Sequence, residues 1–143
     1  MQRDELYERG LAQRRTMFGS EGAEDQVEHT TDVNDKIQEY VTRVCFGDIW
    51  QRDGLNKRDR SKITLAMLLA QGKSHEIRIH IRGALANGVS PLEIRELIVH
   101  SILYIGIPGA VEGIRAFEEI LTERGISFEI DAEASTTPAP SAR

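Results

Sequence analysis

Wherever this chain has a run long enough to form an element, its apolar residues are spaced for a helix, and a glycine tends to follow the run. Ile77, His80, Ile81, Ala84 and Leu85 recur at the spacing of one buried helical stripe, as do Ile94, Leu97, Ile98 and Ile102, and then Val111, Ile114, Phe117, Ile120 and Leu121. A half-buried strand would alternate instead, and no segment does so convincingly; Ile126 to Ile130 comes nearest. The pattern predicts an all-α fold, a single-domain bundle of about six helices.

Start and stop signals place those helices. Asp4 is available as N-cap of a first helix that carries Leu6, Tyr7, Leu11 and Phe18 and stops at Gly19. The acidic stretch Ser20 to Thr31 reads as a loop. Asp32 to Phe46 returns to helix, with Ile37, Tyr40, Val41 and Val44 spaced for burial, and closes at Gly47. Asn56 caps the next helix, whose run from Ile63 to Ala70 is apolar nearly all round and ends at Gly72. Ser74 is expected to cap the helix of His80, which stops at Asn87-Gly88. Ser90-Pro91-Leu92-Glu93 is a capping box with proline at the first helical position, the clearest start in the chain. Its helix buries Ile94, Leu97, Ile98, Ile102 and Tyr104, breaks at Gly106-Ile107-Pro108-Gly109, and a last helix runs to about Arg124. The helical domain is expected over 1–128, and 129–143, rich in Ala, Ser, Thr and Pro, as a disordered tail.

Charge and cysteine usage narrow the classes of function. A chain of 143 residues, 40% hydrophobic, holds one domain with its own core. A net charge of -5 and a pI near 5.4 argue against a general binder of nucleic acid or anionic membranes, so neither is expected as a partner. The N-terminus has no apolar signal core, no apolar run approaches the ~20 residues needed to span a bilayer, and the single Cys45 cannot form an internal disulfide. The expected setting is cytoplasmic. Ile-rich stripes on 91–104 and 109–124 offer more apolar face than one small bundle buries, which predicts a homo-oligomer.

The candidate chemistry is concentrated between Asn56 and Gly88. His80 places an imidazole on an otherwise apolar stripe, either as a structural histidine or as a functional one, and Glu76 stands one turn before it, close enough to pair. Arg78 and Arg82 flank the stripe, and Arg58 opens the preceding helix. Trp50, the only tryptophan, is a core or interface plug or else the wall of a pocket.

Together, Cys45-Phe46-Gly47-Asp48-Ile49-Trp50, Gly54-Leu55, Arg58-Asp59-Arg60-Ser61, Gly72, His80-Ile81-Arg82-Gly83-Ala84-Leu85, Asn87-Gly88-Val89, Glu93-Ile94 and Tyr104-Ile105-Gly106-Ile107-Pro108-Gly109-Ala110 resemble the carboxymuconolactone decarboxylase family, over roughly residues 5 to 122. The resemblance implies an alkylhydroperoxidase D-like helical fold, assembled as trimers or hexamers. It also implies decarboxylation of 4-carboxymuconolactone to the 3-oxoadipate enol-lactone in protocatechuate breakdown, the β-ketoadipate route. That substrate carries its own electron sink, so no metal or organic cofactor is expected.

On this resemblance His80 is the oxyanion donor or proton carrier and Glu76 orients it. Arg58, then Arg82, hold the substrate's carboxylates, and Trp50, His100 and Tyr104 line the pocket. The peroxidase branch of the superfamily has Cys-x-x-Cys-x-x-x-His on this helix. Here Lys73 and Glu76 stand seven and four places before His80, which rules out thiol chemistry at those positions. Two positions depart from the family's pattern: Ile105 stands where cysteine is common, and Gly109 where alanine is. They leave room for another enolisable acid or lactone as substrate, and a non-enzymatic oligomeric ligand-binding protein is the remaining alternative.

Overall fold

The computed structural model describes residues 2–130; the expected tail lies outside the described residues from 131 onward. Six α-helices follow one another: α1 Glu5–Phe18, α2 Glu24–Glu28, α3 Asp35–Glu39, α4 Lys57–Gln71, α5 Ser74–Ala86 and α6 Pro91–Arg124. Among the described residues there is no strand, and Ile126 to Ile130 is irregular. Single 3-10 turns at Ser20–Gly22 and Ile49–Gln51, and a π-helical stretch at Tyr40–Phe46 that continues α3, complete the path.

The caps explain where the helices begin. The Asp4 side chain accepts from the Tyr7 amide at 3.1 Å, Asn56 from Asp59 at 2.8 Å, and Ser90 from Glu93 at 3.1 Å while the Glu93 carboxylate accepts from the Ser90 amide at 2.8 Å. Ser74, expected as a cap, is instead the first residue of α5. Its hydroxyl donates to Glu112 on α6 at 2.5 Å and accepts from Arg78 at 2.8 Å, so it serves side chains rather than an amide of the first turn.

Two apolar clusters hold the bundle. The larger lies between α4, α5 and α6 and is built on Leu65, Leu69, Ile77, Ile81, Ile94, Ile98, Phe117 and Ile120. The smaller, Met17, Phe46 and Trp50, fastens α1 to the π-helical stretch. α1 approaches that stretch with almost no gap: a methyl on Gly10 would stand 1.7 Å from the Thr42 carbonyl oxygen, and one on Gly47 2.0 Å from that of Leu6. Only glycine permits so close a backbone crossing.

Several expected faces are corrected. The stretch 20–31 is not a plain loop but folds into a 3-10 turn and α2, with Ala23 fully buried. Ile37 and Tyr40 are 64% and 62% exposed, because the π-helical stretch closes i→i+5 and changes the period. Val41 and Phe46, five apart, therefore face the same cavity, and Thr42 is buried. On α4, Leu65 and Leu69 enter the core while Ile63 and Met67 face outward, so the helix is buried on one side only.

The expected break falls at Gly106, where two helical stretches meet at a kink. Gly106 alone leaves helical geometry, at φ 78°, where a glycine is needed, and the helix resumes through Pro108 to the left-handed cap at Gly125. The two stretches together make the 34 residues of α6, apolar enough by composition to cross a bilayer. It is broken at Gly106, and Ile94, Ile98, Phe117 and Ile120 on it belong to the bundle core. Tyr104, expected in that core, is 77% exposed.

Candidate active site

A cavity of about 430 Å³, open on one side, lies between α1, the turn after it, the π-helical stretch and α5. Phe18, Val41, Phe46 and Ile79 form its apolar wall, and Arg14, His75, His80 and Arg82, with Glu21 and Gln26, supply its polar groups. The ring of Phe18 meets His80 edge-on at 5.4 Å and Phe46 edge-on at 5.7 Å; Trp50 lies behind Phe46 at 5.4 Å. Trp50 is thus a buried plug supporting the wall, and the cavity lining does not include it.

α5 presents its core face through Ile77, Ile81 and Ala84, and an adjoining face, His75, Ile79 and Arg82, to the cavity. His80 stands at the seam between the two. Its Nδ1 is sealed with no hydrogen-bond partner, and burial pushes its pKa down to about 4, against a weaker upward pull from the charge of Glu76. The imidazole is therefore neutral near pH 7. A sealed N–H is a costlier orphan than a sealed lone pair, so we assign the ring proton to Nε2, the nitrogen left for the cavity. Glu76 itself is exposed and makes no hydrogen bond to His80 among the described residues, so the expected pairing is absent.

The cations sort by what already holds them. Arg82 lines the cavity but is engaged by both oxygens of Glu123 at 2.7 Å. Arg58 is outside the lining, bonded to the Gly88 carbonyl and, at 2.5 Å, to Glu93, which Lys62 also contacts at 3.0 Å. Arg14, 5% exposed, donates to the Gly22 carbonyl at 2.6 Å, to Thr42 Oγ1 at 2.7 Å and to Gln38 Oε1 at 3.1 Å. His100 and Tyr104, their rings 5.4 Å apart on α6, are both exposed and outside this cavity within one chain.

Arg14, Glu21, Gln26 and His75 are the polar lining residues that sequence reasoning missed, the middle two because 20–31 reads as a loop. Tyr7, Gly10, Arg14 and Met17 share one helical stripe, all buried, but Arg14-Arg15 reads as ordinary surface charge. His75 falls one turn before Ile79 and two before Arg82, a spacing visible only once the cavity is known. Ile105 and Gly109, the two departures from the family pattern, fit each other: a methyl on Gly109 would come within 2.7 Å of Ile105 Cδ1. Neither lines the cavity. Cys45 also lies outside it, and burial raises its thiol pKa, disfavouring the reactive thiolate.

An apolar pocket with a buried cation at one wall and a neutral imidazole at another can hold a small carboxylic acid and meet an oxyanion that develops on it. Comparison with known proteins makes the class specific: this all-α chain is a carboxy-lyase. The profile of the Carboxymuconolactone decarboxylase family matches residues 35–119. A 4-carboxymuconolactone decarboxylase from Acinetobacter baylyi is 35% identical over 90% of this chain and 96% of its own length. A nitrosuccinic acid decarboxylase from Metarhizium robertsii is 35% identical over 88% of this chain and 85% of its own. The chain belongs to the carboxymuconolactone decarboxylase family.

Proposed function

We propose that the chain removes CO2 from a small dicarboxylic acid whose departing carboxylate is attached beside an electron sink, with 4-carboxymuconolactone as the first candidate. In that lactone the bond between the γ carbon and its carboxylate breaks, CO2 leaves, and the electron pair runs through the ring double bond into the lactone carbonyl. The resulting dienolate takes a proton on carbon to give the enol-lactone of the β-ketoadipate route. The observation that carries this reading is the neutral His80, sealed on its Nδ1 side and bordering a cavity walled by apolar rings.

The Nε2–H of His80 donates to the developing oxyanion, and Phe18, Val41 and Phe46 strip water from the carboxylate that departs. With Nδ1 sealed, the imidazole stays a neutral donor to the oxyanion, and the dienolate carbon takes its proton from water at the open side of the cavity. Glu76 acts only through its charge in this scheme.

A second substrate is favoured by the relative that is a nitrosuccinic acid decarboxylase, since it is as similar to this chain as the lactone enzyme is. Loss of CO2 from the carbon bearing the nitro group sends the electron pair into that group, and the second carboxylate stays behind. Both acids thus pose the same problem to the site. The assay is to offer each acid to the purified protein and follow substrate loss and CO2 together. Turnover of either fixes the substrate; no turnover of both, by folded protein, overturns the reading.

Assembly belongs to the same proposal. Val99, Leu103, Tyr104, Ile107 and Val111 on α6 and Met67 on α4 stay exposed in a single chain, which supports a homo-oligomer whose contacts cover them. In such an assembly His100 and Tyr104 reach a neighbouring subunit.

A further inference from the structure

Four arginines that tie elements together meet a carboxylate, Arg43 with Asp4 at 2.7 Å, Arg58 with Glu93 at 2.5 Å, Arg78 with Glu119 at 2.6 Å and Arg82 with Glu123 at 2.7 Å, while Arg60 reaches the Arg52 and Leu55 carbonyls at the surface. Arg14, the buried one, meets no carboxylate. Its three acceptors, the Gly22 carbonyl, Gln38 and Thr42, are neutral, and no carboxylate among the described residues lies within ion-pair distance. Glu21 also borders the cavity, but its charge is felt by Arg82 rather than by Arg14. Burial accordingly lowers the Arg14 pKa from its usual value, opposed only weakly by the phenol of Tyr7 and by no carboxylate. A guanidinium nonetheless keeps its proton, so a full positive charge stands at the cavity wall without a counter-ion.

Nε and Nη1 are spent on α1's neighbours, while Nη2 makes no hydrogen bond among the described residues and is not sealed from solvent. Fixing two corners of the fork to three elements leaves the third corner pre-set toward the open space that Arg14 lines. We propose that Arg14 is a substrate-binding residue that holds the carboxylate retained by the substrate, placing the departing one against the apolar wall near His80. The inference rests on the decarboxylase reading for the identity of the acid, and on the missing counter-ion for the site itself. It replaces Arg58 and Arg82, both already neutralised, as the carboxylate anchor.

The test is calorimetric titration of the full chain with succinate, a dicarboxylate with no electron sink, and with neutral succinamide as control. Two variants separate charge from folding. Arg14→Gln removes the cation, and Gln38→Glu is nearly isosteric and supplies the missing counter-ion 3.1 Å from Nη1 while leaving Arg14 in place. Expected results are succinate binding with no succinamide binding, a loss of about tenfold or more in both variants, and an unchanged or higher Tm for Gln38→Glu. Absence of succinate binding at millimolar concentration, or wild-type affinity in folded Gln38→Glu, overturns the proposal whether or not Arg14→Gln folds. Arg14-dependent succinate binding without turnover of either acid overturns the reaction reading and leaves the subsite standing. Turnover whose KM neither variant changes does the reverse.

Discussion

At His80, burial and not a partner sets the protonation state, which fixes two expected outcomes. Its pKa of about 4 in the fold lies below the 6.5 of the free side chain, so between those values the unfolded chain binds the extra proton. The contribution to stability is fully present above pH 6.5 and is lost as pH falls toward 4, by up to about 3 kcal/mol. Denaturant titrations at a series of pH values will show that slope in the wild type and a shallower one in His80→Leu. The rate gives the second outcome: kcat/KM is flat from pH 8 to about 5 and falls near pH 4, where the imidazole takes up its second proton. His80 was legible in the sequence, since an imidazole on an apolar stripe stands out. Arg14 was not, because helical spacing shows that a position is buried but not that its charge lacks a partner.

The π-helical stretch Tyr40–Phe46 is the element that the sequence concealed, and the cavity depends on it. Its closure shifts Val41 and Phe46 into register five residues apart and turns the Thr42 hydroxyl onto Arg14. A period of 3.6 read over Asp32 to Phe46 buries Ile37 and Tyr40 instead. By contrast the starts at Asp4, Asn56 and Ser90 and the break at Gly106 were legible, since caps and glycines act locally. The crossing of α1 over this stretch gives the element its own test. Gly10→Ala drives a methyl into the Thr42 carbonyl, and is expected to cost about 3 kcal/mol and roughly 10 °C in Tm by calorimetry, with activity lost alongside.

On the scale of the whole molecule, the expected all-α bundle was legible because the helical period recurs and strand alternation does not. The outward-facing apolar residues were not, since periodicity cannot distinguish a core face from a face awaiting another subunit. Leu103 at 75% exposure and Met67 at 60% are the residues the proposed assembly would cover. Sedimentation velocity is expected to find an assembly at micromolar concentration and a smaller species for the double variant Met67→Lys, Leu103→Lys. A wild-type monomer there contradicts the assembly.

The most direct measurement is the rate of CO2 release from 4-carboxymuconolactone by the wild-type protein and by His80→Ala, both shown folded by circular dichroism. The account predicts turnover in the wild type and a kcat lower by about 10²–10³-fold in the variant, the usual loss for one oxyanion donor. Equal rates from the two proteins contradict the role given to the cavity's neutral imidazole.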